Sequence, residues 1–179
     1  MIYVDTLVVD AKSGVSGAGR SPKVNLLYCE ANEGISAYGI ASHRHTPEIE
    51  QELSKLCGHD VVITFTPHLT PMARGILAVS YAKLKSDINE QELVKIYQDF
   101  YKDAPFVRIM EDGLPNTKYV AYTNYVDISV KIDRRTKRVI VITALDNLIK
   151  GASGQAVQNM NLMFGIDEKK ALTNYSFYP

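Results

Sequence analysis

Two β-forming runs, Tyr125 to Asp133 and Val139 to Ala144, are separated only by residues 134–138, with Arg134-Arg135-Thr136-Lys137 as a basic turn. So short a link predicts a hairpin, hence antiparallel pairing, with the basic residues at a solvated tip rather than around a phosphate. The remaining β signals are the apolar run Thr6 to Val9, the short apolar stretch Val24 to Cys29 and Ile35 to Ala41. They continue with Val61 to Thr66, which ends at Pro67-His68, then Gly75 to Lys85 and Val107 to Met110. In Gly75 to Lys85 the near-alternation of Ile76, Ala78, Ser80, Ala82 and Leu84 predicts one long strand. Helical signals interrupt these runs. Thr46-Pro47-Glu48 pairs an N-cap threonine with proline at the first helical position. Ile49, Leu53 and Leu56 follow at helical spacing until Gly58. Asn89 to Tyr101 carries an apolar stripe of Leu93, Ile96, Tyr97 and Phe100, and Gly154 to Phe164 places Ala156, Met160 and Met163 along one side. The pattern is that of an α+β fold.

With 179 residues, 46% of them apolar, the chain suits one domain, with room for a segment that packs elsewhere. Twenty basic residues balance twenty acidic ones, so no global field favours nucleic acid or an anionic membrane, and any anion site is local. Cys29 and Cys57 lack a CxxC pattern and are expected to be buried structural thiols in a reducing compartment. No signal peptide or long apolar span is evident, which places the chain in the cytoplasm.

Four clusters carry chemistry. Lys12-Ser13-Gly14-Val15-Ser16-Gly17-Ala18-Gly19-Arg20 offers backbone N–H groups and two cations to an anion, although a plain flexible loop has the same composition. His43-Arg44-His45-Thr46-Pro47-Glu48 sets two imidazoles on one face of an extended strand, beside a helix N-terminus that favours anions. Acid/base or substrate work suits them best, with structural hydrogen bonding and a zinc pair as the alternatives. No third ligand is evident for a metal. Thr66 to Gly75 stiffens a loop with Pro67 and Pro71 and presents His68 and Arg74, to a carboxylate or phosphate or merely to solvent. Lys150 to Asn159 opens a helix with Gly151 and Gly154 followed by Gln155 and Asn159, whose amides match a carboxamide. Simple helix packing explains the glycines equally well.

KSGVSGAGR at Lys12 to Arg20, HRHTPEI at His43 to Ile49, TPHLTPMARG at Thr66 to Gly75 and DNLIKGASGQAVQNMN at Asp146 to Asn161 together resemble N-acetyl-gamma-glutamyl-phosphate reductase of arginine biosynthesis. The resemblance runs in order from about Val4 to the end. It implies the fold of the C-terminal domain of glyceraldehyde-3-phosphate and aspartate-semialdehyde dehydrogenases, a mixed, mostly antiparallel sheet with helices on one face. It implies a substrate-binding and dimerisation domain over residues 1–145 and a C-terminal segment, 146–179, that packs on a nucleotide-binding domain.

The implied chemistry is NADPH-dependent reduction of an acyl phosphate to an aldehyde, through a cysteine thiolate and a histidine that moves protons. His45 and His43 are the implied catalytic residues, and Ser13, Ser16, Gly17, Arg20, Glu48 and Arg74 the implied substrate contacts. Lys150, Gly151, Gly154, Gln155 and Asn159 would face NADP, no metal is involved, and a homodimer or tetramer is expected. The chain departs from the family in lacking both the Gly-rich dinucleotide fingerprint and the Asn-Pro-Gly-Cys motif of the nucleophile. Alone it is therefore expected to be inactive. A non-enzymatic dimerisation module and a relative acting on carrier-bound aminoadipyl or glutamyl phosphate in lysine biosynthesis remain the alternatives.

Overall fold

The β-forming runs come together in one sheet. The computed structural model describes residues 1–176. Its strands are β1 (Ile2–Gly14), β2 (Ser36–Ala37), β3 (Thr64–Thr70), β4 (Ile76–Leu84), β5 (Val107–Ile109), β6 (Val126–Asp133) and β7 (Arg138–Leu145). They lie in the order β2-β3-β1-β4-β7-β6-β5. Four of the six pairings are antiparallel, and β1 with β3 and β5 with β6 are parallel. The helices are α1 (Tyr28–Ala31), α2 (Thr46–Cys57), α3 (Glu90–Tyr101), α4 (Thr117–Val120) and α5 (Gly154–Met163). The mixed, mostly antiparallel α+β fold expected from the sequence is the one observed.

Register decides where the core sits. It aligns Ile128, Val130 and Ile132 of β6 with Thr143, Val141 and Val139 of β7, and the latter with Ala78, Ser80 and Ala82 of β4, on one face. Helix α3 lays Leu93, Val94, Tyr97 and Tyr101 on that face, and Leu93 and Val130 are each only 1% exposed. Burying such a side chain contributes about 2 kcal/mol. The expected stripe is turned slightly, because the partners of Leu93 lie on the Val94 and Tyr101 side, leaving Ile96 and Phe100 exposed. A capping box starts the helix: the Asn89 side chain accepts from Glu92 N at 2.8 Å, and Glu92 accepts from Asn89 N at 3.1 Å.

Several local expectations give way to tertiary effects. β3 does not stop at Pro67. A residue's N and C=O point to the same side of a strand, and the Pro67 carbonyl accepts from Tyr38 N, so the missing donor falls on the side of two-residue β2. Val24 to Cys29 forms a 3-10 turn, Val24–Leu26, followed by α1 on a surface excursion, and Ile35 to Ala41 shrinks to β2. Cys29 is consequently exposed, and so is Cys57, in the last turn of α2 beside the equally exposed Leu56. Neither thiol is a core residue. Helix α2 starts at Thr46 with His45 as its N-cap and ends at Gly58 in the left-handed region. In α5 the expected apolar side, Ala156, Met160 and Met163, faces outward, and the buried positions are Gly154, Gln158 and Asn161. Polar partners for the buried amides explain the reversal: Gln158 accepts from Asn124 and donates to Glu168, while Asn161 donates to the carbonyls of Glu168 and Lys170.

Candidate functional site

The glycine loop leaves the sheet at the end of β1 and is held by backbone bonds to the segment before β4. Gly14 N donates to Gly75 O at 2.8 Å, Val15 N to Met72 O at 3.0 Å and Ser16 N to Ala73 O at 3.3 Å. A Cβ on Gly14 would lie 2.8 Å from Met72 O, so only glycine lets the two segments approach this closely. Gly75 sits at φ 115°, where a side chain would also strike Thr117. The loop is thus an ordered structure, with a 3-10 turn over Val15–Ala18. Beyond it, Gly19 and Arg20 open onto a cavity of about 380 Å³ also lined by Ser16, Ser21, Lys23 and Ala73.

Beneath the loop lies a polar hub that sequence reasoning did not single out. Asp146 is fully buried. Its carboxylate accepts from Leu148 N, Ile149 N and Tyr122 N at 2.7 to 2.9 Å and faces Arg74 at 3.4 Å. Arg74 also stands over the Tyr122 ring, 4.7 Å from its centroid. This expected substrate residue is therefore anchored on two sides. Asn147 accepts from Gly75 N at 2.7 Å and donates to Ser16 Oγ at 3.0 Å. Asp146 and Asn147 bring together the Ser16 and Arg74 segments, 131 and 72 residues away in sequence.

His43 and His45 do not sit on a strand, because β2 ends at Ala37 and both lie in the turn that enters α2. The turn nevertheless brings their rings to 5.2 Å, and His43 also packs edgewise against Phe65 and Tyr38. His43 Nδ1 accepts from His45 N at 3.3 Å, so the neutral ring carries its proton on Nε2. Burial, reinforced by the His45 and Arg44 charges, pushes the His43 pKa below the ordinary imidazole value. His45 is exposed, as is Glu48 one turn into α2.

The fourth cluster divides. Lys150 Nζ donates to Gln158 at 2.8 Å, and burial lowers its pKa against the opposing pull of Glu168. Gly154 is buried against Asn124 Oδ1 and Ile149, which leaves no room for a Cβ. Gly151 is exposed, and Gln155 donates to Asn159 at 2.8 Å on the solvent side of α5. Among the described residues no three His, Cys, Asp or Glu side chains converge as a ligand set.

Residues 1–147 match the family described as "Semialdehyde dehydrogenase, dimerisation domain". The chain belongs to this family. Relatives of this semialdehyde dehydrogenase dimerisation domain include N-acetyl-gamma-glutamyl-phosphate reductases from Lachnoclostridium phytofermentans, 52% identical over the whole chain, and Campylobacter jejuni, 56% identical over 96% of it. The matches cover 52% and 51% of those proteins, so the chain spans about half the length of the curated relatives it matches. Among solved structures, aspartate semialdehyde dehydrogenase II from Vibrio cholerae superposes on 92% of the chain with a TM-score of 0.68 at 14% identity. The Francisella tularensis aspartate semialdehyde dehydrogenase covers 89% at 0.64 and 13%. The chain covers 56% and 58% of those two structures, and at such identity they show the fold alone. No helix among the described residues of this semialdehyde dehydrogenase dimerisation domain is long and apolar enough to cross a membrane.

Proposed function

We propose that the chain is the substrate-binding and dimerisation half of an N-acetyl-gamma-glutamyl-phosphate reductase, which converts an acyl phosphate to N-acetylglutamate semialdehyde in arginine biosynthesis. The observation that carries this reading is the ordered glycine loop, braced through Asn147, beside a cavity lined by two cations and no carboxylate. Such a wall suits an anionic substrate. Arg20 and Ser16 hold its oxyanion, Ser13 and Gly17 shape the loop, and Arg74, next to the lining Ala73, is held by Asp146. Glu48, exposed in the first turn of α2, is not among the residues that line this cavity.

In this reading the two histidines have different work. With Nδ1 already accepting from His45 N, neutral His43 offers an Nε2–H donor and orients the substrate. His45, exposed at the helix N-cap, exchanges the proton. A nicotinamide cofactor, NADP in this proposal, supplies hydride when bound. The amide pair of half-buried Gln155 and exposed Asn159 in α5 fits its carboxamide, whereas Lys150 and Gly154 are engaged within the protein. The exposed side of α5 then faces the nucleotide-binding half, while 1–145 hold substrate and a second copy of the chain in a cytoplasmic homodimer or tetramer.

The test is reconstitution. The chain joined to a nucleotide-binding half that carries the Asn-Pro-Gly-Cys motif should reduce NADP with N-acetylglutamate semialdehyde and phosphate, and either half alone should not. His45→Asn should then lower kcat strongly, and Arg20→Ala should act mainly on KM. A folded, joined protein without turnover would overturn the reading in favour of a dimerisation module.

A further inference from the structure

We infer that Asn147 is a positioning residue that sets the polarity of the Ser16 hydroxyl, making it a hydrogen-bond donor to an oxyanion in the adjoining cavity. The inference rests on the reading of the glycine loop as a substrate site. A backbone N–H can only donate, so Gly75 N, 2.7 Å from the Asn147 side chain, fixes that amide with its oxygen toward Gly75. The NH₂ group therefore faces the glycine loop and donates to Ser16 Oγ at 3.0 Å. Asn147 is only 7% exposed, which keeps water from substituting for either partner.

A serine oxygen that receives a bond from an amide must give its own proton elsewhere. Among the described residues, no group is seen to accept it. Ser16 lines the cavity with Gly19, Arg20, Ser21 and Lys23, and that wall contains no carboxylate to compete for the proton. Gly17 preserves the arrangement, because a Cβ there would lie 3.3 Å from Asn147 Nδ2 and 3.2 Å from Ser13 Oγ. The ligand chemistry is an anionic oxygen, of either a phosphoryl group or a carboxylate.

The experiment is an amide NMR titration of the 179-residue chain with inorganic phosphate and, separately, with glutarate. Saturable shifts at residues 16–23 are expected, and the tighter probe identifies which group the site takes. Asn147→Asp still accepts from Gly75 N but presents an oxygen to Ser16, turning its proton inward, and should weaken binding about tenfold, the scale of one charge-assisted hydrogen bond. Ser16→Ala should weaken it as much. Because the added aspartate charge also repels anions, the deciding comparison is the double variant: in the Ser16→Ala background Asn147→Asp should cost less than about threefold.

An equal loss in both backgrounds, or wild-type affinity in Asn147→Asp, overturns the inference. Should Asn147→Asp not fold, undiminished binding by Ser16→Ala overturns it instead. A wild-type chain that binds neither probe overturns the reading of the glycine loop beneath it.

Discussion

His43 is constrained twice, by a hydrogen bond into Nδ1 and by surroundings that disfavour its cation. The folded state therefore binds fewer protons at this ring than the unfolded state does, between its lowered value and the ordinary imidazole value of about 6.5. Its contribution to stability is full above that window and is lost as pH falls through it. An NMR titration of the ring should give a midpoint below about 6.5, and a midpoint at or above that value would contradict the packing described for His43. Asp146 makes a larger demand. Asparagine there places an NH₂ group among three backbone donors and leaves Arg74 without its charge partner. Asp146→Asn should cost about 3 kcal/mol in urea unfolding, and a loss under about 1 kcal/mol would mean that the hub is dispensable.

At the scale of elements, α3 is the clearest case of local chemistry prevailing. Asn89 and Glu92 cap it reciprocally, and Asn89→Ala should lower thermal stability by about 1 kcal/mol, measurable as a fall in Tm without change in the folded spectrum. The same locality made α3, β4, the β6–β7 hairpin and the Gly58 stop legible in the sequence. What failed was whatever depended on distant neighbours. Pro67 ends a strand by its own chemistry, yet two-residue β2 demands no donor there. Val24 to Cys29 is apolar enough for a strand but packs as a turn and a short helix on the surface. The candidate site was half legible for a similar reason. Glycines and cations stand out along the chain, whereas the bonds of Asn147 to Gly75 and Ser16 join residues 72 and 131 positions away and leave no local signature.

The whole molecule carries one consequence of register that a single copy does not satisfy. Opposite the face covered by α3, the sheet presents Leu77, Val79 and Tyr81 of β4 and Ile140 and Ile142 of β7, all only partly buried. We predict a dimer through this face, consistent with the description of the matched family. Sedimentation at micromolar concentration should give twice the chain mass, Ile142→Lys should give a folded monomer, and a monomeric wild type would refute the assignment. The strand order also bears on how the molecule is made. β1 precedes β3 and β4 in sequence but lies between them, and Val8 finds its partners only at Thr64 and Tyr81. The β6–β7 hairpin closes through a short turn and needs nothing upstream, so its loop entropy is far smaller. In pulse-labelled hydrogen exchange β6 and β7 amides should gain protection before those of β1, and the reverse order would contradict this. The strand that carries the glycine loop would then be among the last of this sheet to find its place, so the anion site would be completed only when folding is.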